Sequence, residues 1–343
     1  MNAPPRIKVL VVDDSAFARK VLRESLGASP EIEVIGTAGD GLEALEKISV
    51  LDPDVVTLDL MMPNLDGVGV LRELKSTRAR ARTVLVSFSG EDSELVVEGL
   101  MLGAFDLVKK PTALATDRLY ELSSPLVKAV LEAARARQPE PVPMASPKVV
   151  SSAAVQTKLL VVGTSTGGPQ ALTRLLAGLP KDFPVPIAAA LHIPAEYTAA
   201  LARRLDDASA LTVVEAADGM RLAPGTAVLA RGGSQLSLVS DGETLIARVG
   251  SEPRNAPFAP SVDVLFRSAA KACGAATLGV VLTGMGDDGL EGSRAIVAAG
   301  GRVLNEKEET CVVYGMPKAV KDAGLAAGEA RIEAMAEEIV RRL

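Results

Sequence analysis

Short apolar runs of strand length, each passing into a carboxylate or a glycine-rich turn and then into a helical period, recur along this chain and leave little choice but parallel α/β sheets. In the first part, such runs at residues 8–12, 33–36, 55–58, 83–86 and 105–108 alternate with helical patterns at 16–26, 41–48, 67–75 and 94–102. The alternation predicts a doubly wound parallel sheet, because joining parallel strands takes a crossover that returns over the sheet face. It resumes at residues 159–162 and continues through 185–191, 227–230, 278–282 and 302–304, so a second doubly wound α/β sheet is expected. Between the two series, Pro139, Pro141, Pro143 and Pro147 lie among Gln, Ser and Ala without a sustained apolar period, which reads as a linker. The expected division is therefore residues 1–132, a linker at 133–157, and residues 158–343, in keeping with a length beyond what one core organises.

The apolar fraction of 48% and charged fraction of 23% belong to an ordinary globular protein. A net charge of −6, with three Tyr, six Phe and no Trp, provides no basic surface interleaved with aromatics, so nucleic acid is not an expected partner. Cys273 and Cys311 are not arranged as CxxC and read as reduced, buried thiols. The first residues lack the pattern of a signal peptide, and no apolar run approaches the ~20 residues of a membrane span. A cytoplasmic location without membrane insertion is expected.

Asp13 and Asp14 follow the first strand, Asp59 ends the third, and Lys110 ends the fifth. In a parallel sheet these ends share one edge, so the carboxylates and the ammonium should converge in a ligand-binding crevice. Hard oxygen donors of this kind suit Mg²⁺, and the lysine suits a phosphoryl group or a carboxylate. Taken singly, each acidic residue could instead cap a helix or turn. The segments VLVVDDS, VVTLDLMMPNLDG, VLVSFSG and DLVKKP resemble a response-regulator receiver domain over about residues 6–126, which implies a flavodoxin-like fold. That resemblance implies that Asp59 accepts phosphate from a partner histidine kinase. It also implies that Asp14, Asp59 and the Met61 carbonyl bind Mg²⁺, that Asp13 assists through water, and that Ser87 and Lys110 contact the phosphoryl oxygens. Phe88 departs from the small residue usual after the switch hydroxyl and is expected to narrow the site.

In the second part, the strand at 159–162 runs into Gly163-Thr164-Ser165-Thr166-Gly167-Gly168 and then a helical pattern at 170–176. The spacing fits G-x-S-x-G, in which glycines permit a tight turn that presents the serine hydroxyl near a helix N-terminus. Such a turn also serves phosphate binding, although neither the GxGxxG spacing nor the P-loop lysine is present. His192, the only histidine, ends the strand at 185–191, and Asp287 and Asp288 follow the strand at 278–282. A serine, an imidazole and a carboxylate thus share one edge, as nucleophilic catalysis requires. Their chain order, Ser then His then Asp, differs from that of α/β-hydrolases.

The motifs GTSTGGPQAL, LHIP, PSVDVLF, VVLTGMGDDG and CVVYGMP resemble the effector domain of the CheB chemotaxis methylesterases, and the combined match spans nearly the whole chain. The resemblance implies a Rossmann-like α/β domain with Ser165 as nucleophile, His192 as general base and acid, Asp288 as orienting carboxylate, and Thr166 and the Met285 amide near the oxyanion. Ala259, Leu191 and Asp287 stand where arginine, glutamine and asparagine are frequent in that family, so Asp287 competes with Asp288 as the partner of His192. Ser261 and Asp263 read equally as helix caps and as members of the site. The implied activity is phosphorylation-controlled hydrolysis of glutamate γ-methyl esters on methyl-accepting chemoreceptors, with glutamine deamidation beside it. The ester step needs no cofactor, and a chemotaxis histidine kinase is the expected phosphodonor. The rival reading is a receiver-gated adaptor whose second domain is catalytically silent.

Overall fold

The structure, a computed structural model, describes residues 5–88, 93–110, 123–136 and 156–343, and the chain divides into two compact units, Met1–Gln138 and Pro139–Leu343. The Phe88 side chain and residues 137–155 of the expected linker lie outside the described residues.

In the first unit, strands β1 (Ile7–Val12), β2 (Ile32–Ala38), β3 (Val55–Leu58), β4 (Arg82–Phe88) and β5 (Asp106–Lys110) form one parallel sheet in the order β2-β1-β3-β4-β5. Helices α1 (Ala16–Gly27), α2 (Gly41–Leu51), α3 (Gly67–Thr77), α4 (Ser93–Leu102) and α5 (Ser123–Arg135) accompany it. Side chains start three of them: Ser15, Asp40 and Asp66 accept from the amides of Ala18, Glu43 and Gly69. Helix α5 corrects the expected linker boundary, since residue 133 lies within it. Leu126, Ala129, Val130 and Ala133 are buried at helical spacing, a stripe that the Ala-rich composition disguised.

In the second unit, a parallel seven-stranded sheet runs in the order β15-β14-β13-β6-β7-β10-β8. Its strands are β6 (Leu159–Thr164), β7 (Ile187–Leu191), β8 (Thr212–Glu215), β10 (Thr226–Leu229), β13 (Thr277–Val281), β14 (Arg302–Glu306) and β15 (Gly328–Ala330). A smaller antiparallel sheet, β11-β12-β9, joins β9 (Arg221–Leu222), β11 (Gln235–Asp241) and β12 (Thr244–Gly250). Helices α6 (Gly168–Ala177), α7 (Ala195–Asp207), α8 (Val262–Cys273), α9 (Leu290–Ala298), α10 (Met316–Asp322) and α11 (Ile332–Val340) complete it. The antiparallel layer and the short strands β8 and β15 were not anticipated. In β11 and β12 only alternate residues, Leu236 and Leu238 with Leu245 and Ala247, enter the core, so no continuous apolar run marks them. Cys311 is buried, as expected, whereas Cys273 is only half-buried. Among the described residues, no helix is long and apolar enough to cross a membrane.

Candidate active site

Strands β13, β6 and β7 are neighbours at the centre of the large sheet, and the chain winds outward in opposite directions from the β13–β6 junction. Such a switch point opens a crevice at the carboxyl ends of the strands. Ser165 follows β6, His192 follows β7, and Asp288 lies in the segment between β13 and α9. Two glycines let the turns close. Gly167 has φ +79°, where a Cβ would lie 2.6 Å from Val312, and a Cβ on Gly284 would lie 2.3 Å from the Met316 sulfur and 2.9 Å from Ser165 Cβ. The Gly284 backbone is thus pressed against Ser165 and carries Met285 alongside it.

His192 Nδ1 lies 3.1 Å from Ser165 Oγ, and Nε2 lies 2.7 Å from Asp288 Oδ2. Burial pushes the Asp288 carboxyl up, but the His192 contact and the amides of Asp263 and Val262 outweigh it and hold the group below its ordinary value. Asp288 Oδ1 accepts from Ser261 Oγ at 2.9 Å and the Asp263 amide at 3.0 Å, while Oδ2 also accepts from the Val262 amide at 2.7 Å. An ionised Asp288 accepts only, so Nε2 carries the imidazole proton and Nδ1 faces the serine hydroxyl as a lone pair. The ambiguity between neighbouring aspartates is resolved geometrically: Asp287 is exposed, and Asp288 contacts the ring. Ser261 takes both roles left open for it, since it caps α8 and donates to Asp288. Asp263 caps the start of α9 through the amides of Gly289 and Gly292, and burial followed by the nearby Asp288 charge raises its pKa. Among the described residues, the Thr166 and Met285 amides have no backbone acceptor.

In the receiver-like unit the chain reverses direction between β1 and β3, and the carboxylates gather there. Lys110 Nζ bridges Asp13 Oδ2 at 2.6 Å and Asp59 Oδ2 at 2.8 Å, with all three side chains buried. Asp59 Oδ1 accepts from the Leu60 amide at 2.8 Å. Burial dominates at Asp59 and raises its pKa, with Lys110 opposing and Asp13 reinforcing the shift. Asp14 is exposed at the rim, where Arg19 Nη1 donates to the Asp13 and Asp14 carbonyls at 2.7 and 2.9 Å. One oxygen from each of Asp13, Asp14 and Asp59 lies within 4.8 Å of the others, a hard-donor set that fits Mg²⁺. Ser87 is buried on β4, and the Met61 side chain is exposed.

Residues 160–339 match the family described as CheB methylesterase, and residues 9–121 match the response regulator receiver domain. Over 340 residues the chain is 58% identical to protein-glutamate methylesterase/protein-glutamine glutaminase 5 of Myxococcus xanthus, an alignment spanning 98% of this chain and 97% of that protein. The chain belongs to the CheB methylesterase family. It is also 40% identical to a protein-glutamate methylesterase/protein-glutamine glutaminase of Oleidesulfovibrio alaskensis, across 97% of this chain and 98% of that one. The CheB methylesterase catalytic domain of Thermotoga maritima superimposes with a TM-score of 0.53 at 38% identity, covering 55% of this chain and 100% of that domain.

Several residues that support the site in this CheB-family chain escaped sequence reasoning. Thr283 ties three segments together: its carbonyl accepts from the Ser165 amide at 3.1 Å and Thr164 Oγ1 at 2.7 Å, and its hydroxyl donates to the Thr166 carbonyl at 3.0 Å. Its amide donates to Glu306 Oε2 at 2.8 Å, and burial pushes that carboxyl up to about 7. Phe258 stacks on His192 with ring centroids 4.1 Å apart and planes 13° from parallel. Glu306 ends β14, two residues beyond the strand expected at 302–304, so no signal marked it, and nothing in one dimension pairs residue 258 with residue 192.

Proposed function

We propose that this chain is a phosphorylation-controlled serine esterase that hydrolyses glutamate γ-methyl esters of methyl-accepting chemoreceptors and deamidates receptor glutamines. The observation that supports this most is the continuous relay from Asp288 through His192 to Ser165, at 2.7 and 3.1 Å. In this reading Ser165 Oγ attacks the ester carbonyl while its proton passes to His192 Nδ1, and Asp288 balances the imidazolium. The oxyanion takes hydrogen bonds from the Thr166 and Met285 amides. Collapse breaks the ester C–O bond, and methanol leaves with the proton from Nδ1. Water then attacks the acyl-serine, gives its proton to Nδ1, and releases the glutamate carboxylate and the serine. With a glutamine side chain, ammonia replaces methanol as the leaving group.

Control is assigned to Asp59, which takes a phosphoryl group from a histidine kinase. Asp13, Asp14, Asp59 and the Met61 carbonyl would hold Mg²⁺, which neutralises phosphoryl charge when bound. Lys110 and Ser87 supply the remaining polar contacts to the phosphoryl oxygens. A receiver-gated adaptor with a silent second domain has no use for a buried carboxylate aligned on a histidine and a serine.

The test is methanol release from methylated receptor, with and without a small phosphodonor. Ser165→Ala and His192→Ala should each reduce release by roughly 10³-fold or more, while His192→Ala still accepts phosphate at Asp59. Asp59→Asn should abolish the response to phosphodonor. Undiminished release by Ser165→Ala overturns the reading.

A further inference from the structure

Phe258 is 40% exposed, yet its place is fixed from behind. Its carbonyl accepts from Gln235 Nε2 at 2.6 Å, and Gln235 Oε1 accepts from the Ser261 amide at 2.9 Å. Gln235 is buried, and the Gly233 amide adds a bond to the Ala259 carbonyl at 2.9 Å. The backbone from the Phe258 carbonyl to the Ser261 amide is therefore anchored to the segment entering β11. This short stretch serves the imidazole twice: Ser261 donates to the carboxylate at its edge, and Phe258 covers its face.

We infer that Phe258 is a positioning residue for His192, which holds the imidazole plane and stabilises its protonated form while the tetrahedral intermediate exists. A neutral imidazole gains only dispersion and packing from a stacked phenyl ring. An imidazolium is also attracted to the negative face of the ring, and 4.1 Å lies well inside the range of that attraction. The contact thus strengthens as His192 takes the serine proton, so it favours the intermediate over the resting state. Asp288 is the ionisable group in contact with the ring, Asp263 lies behind it, and Asp287 and Glu196 belong to the adjoining segments. Substitution at Phe258 leaves all four in place, so a change in the titration of His192 reports the ring.

The single histidine makes the experiment direct, since selective labelling of the full chain yields one imidazole to follow by NMR against pH. Phe258→Leu, which keeps much of the volume without the π face, should lower the His192 midpoint by about half a pH unit. The acid limb of kcat/KM should move down equally, and kcat should fall about threefold to tenfold with little change in KM. Phe258→Tyr should restore titration and kcat to within about twofold of the parent. An unshifted midpoint in Phe258→Leu, or a Tyr variant that titrates like the Leu variant, overturns the inference. Only the turnover readout rests on the esterase reading: insensitivity to Ser165→Ala ends that reading, while the titration still decides the role of Phe258.

Discussion

Asp59 and Asp288 are equally buried, each 5% exposed, and each sits past a central parallel strand at a switch point, yet their acidities are displaced in opposite directions. Burial opposes ionisation at both, so the surrounding donors decide the outcome. Among the described residues, Asp59 accepts from one amide and shares Lys110 with Asp13, whose like charge works against it. Asp288 receives His192, a hydroxyl, and two amides from the first turn of α8, where the helix dipole also favours negative charge. The first arrangement has more carboxylate than compensation and suits a cation and a phosphoryl group. The second is saturated and keeps one charge fixed beside an imidazole. The same strand-end address therefore holds a carboxylate of raised or of lowered pKa according to how completely it is satisfied.

The largest effect that could break this contrast is at Asp288. Asparagine there cannot hold the imidazole tautomer and turns an NH₂ toward groups that are themselves donors, so methanol release should fall by on the order of 10³- to 10⁴-fold. Retention of even a tenth of the activity would assign the orienting charge elsewhere, with Asp287 the first residue to examine. Next comes Lys110→Met, which leaves Asp13 and Asp59 facing each other without their cation. The loss should be roughly 3 kcal/mol in the receiver-like unit near neutral pH. Asp59 is already raised and would rise further, and a carboxyl raised in the folded state contributes stability at low pH that is lost as pH increases. Thermal unfolding should therefore show the variant closer to the parent at pH 5 than at pH 8, and an equal deficit at both would refute the account.

The smallest effect is at Glu306, which burial raises from its ordinary 4.5 to about 7. Its protonated form is favoured by folding, so its contribution is complete below about pH 4.5 and disappears as pH rises through about 7. Glu306→Gln keeps an acceptor for the Thr283 amide and removes the titration. The stability difference between variant and parent should consequently grow in favour of the variant by on the order of 2 kcal/mol between pH 5 and 8. Parallel pH–stability curves for the two proteins would show that Glu306 is paired more completely than its contacts indicate.

Much of the site could be read before the fold because its chemistry follows the strand ends. Ser165, His192, Asp59 and Lys110 each terminate an apolar run or occupy the turn just beyond it, and parallel pairing brings such positions to one edge. The pair Asp287-Asp288 was less legible, because neighbouring residues in a turn face different ways and only one can meet the ring. Helix α5 was partly hidden by its alanines, and the β11–β12 hairpin by its alternation. Thr283, Gln235 and Phe258 lay beyond sequence reasoning, since their partners are 117, 26 and 66 residues away respectively, the last being 258 minus 192.

By itself the sequence determined two parallel α/β domains and the serine, histidine and carboxylates at their strand ends, because periodicity and turn chemistry are local properties of a chain. Tertiary structure decided which aspartate meets His192, which way the imidazole faces, and why one buried carboxylate is held ionised while its counterpart is pushed up. Those outcomes depend on hydrogen-bond donors and charges brought within about 3 Å from distant segments, and no local pattern encodes their arrival.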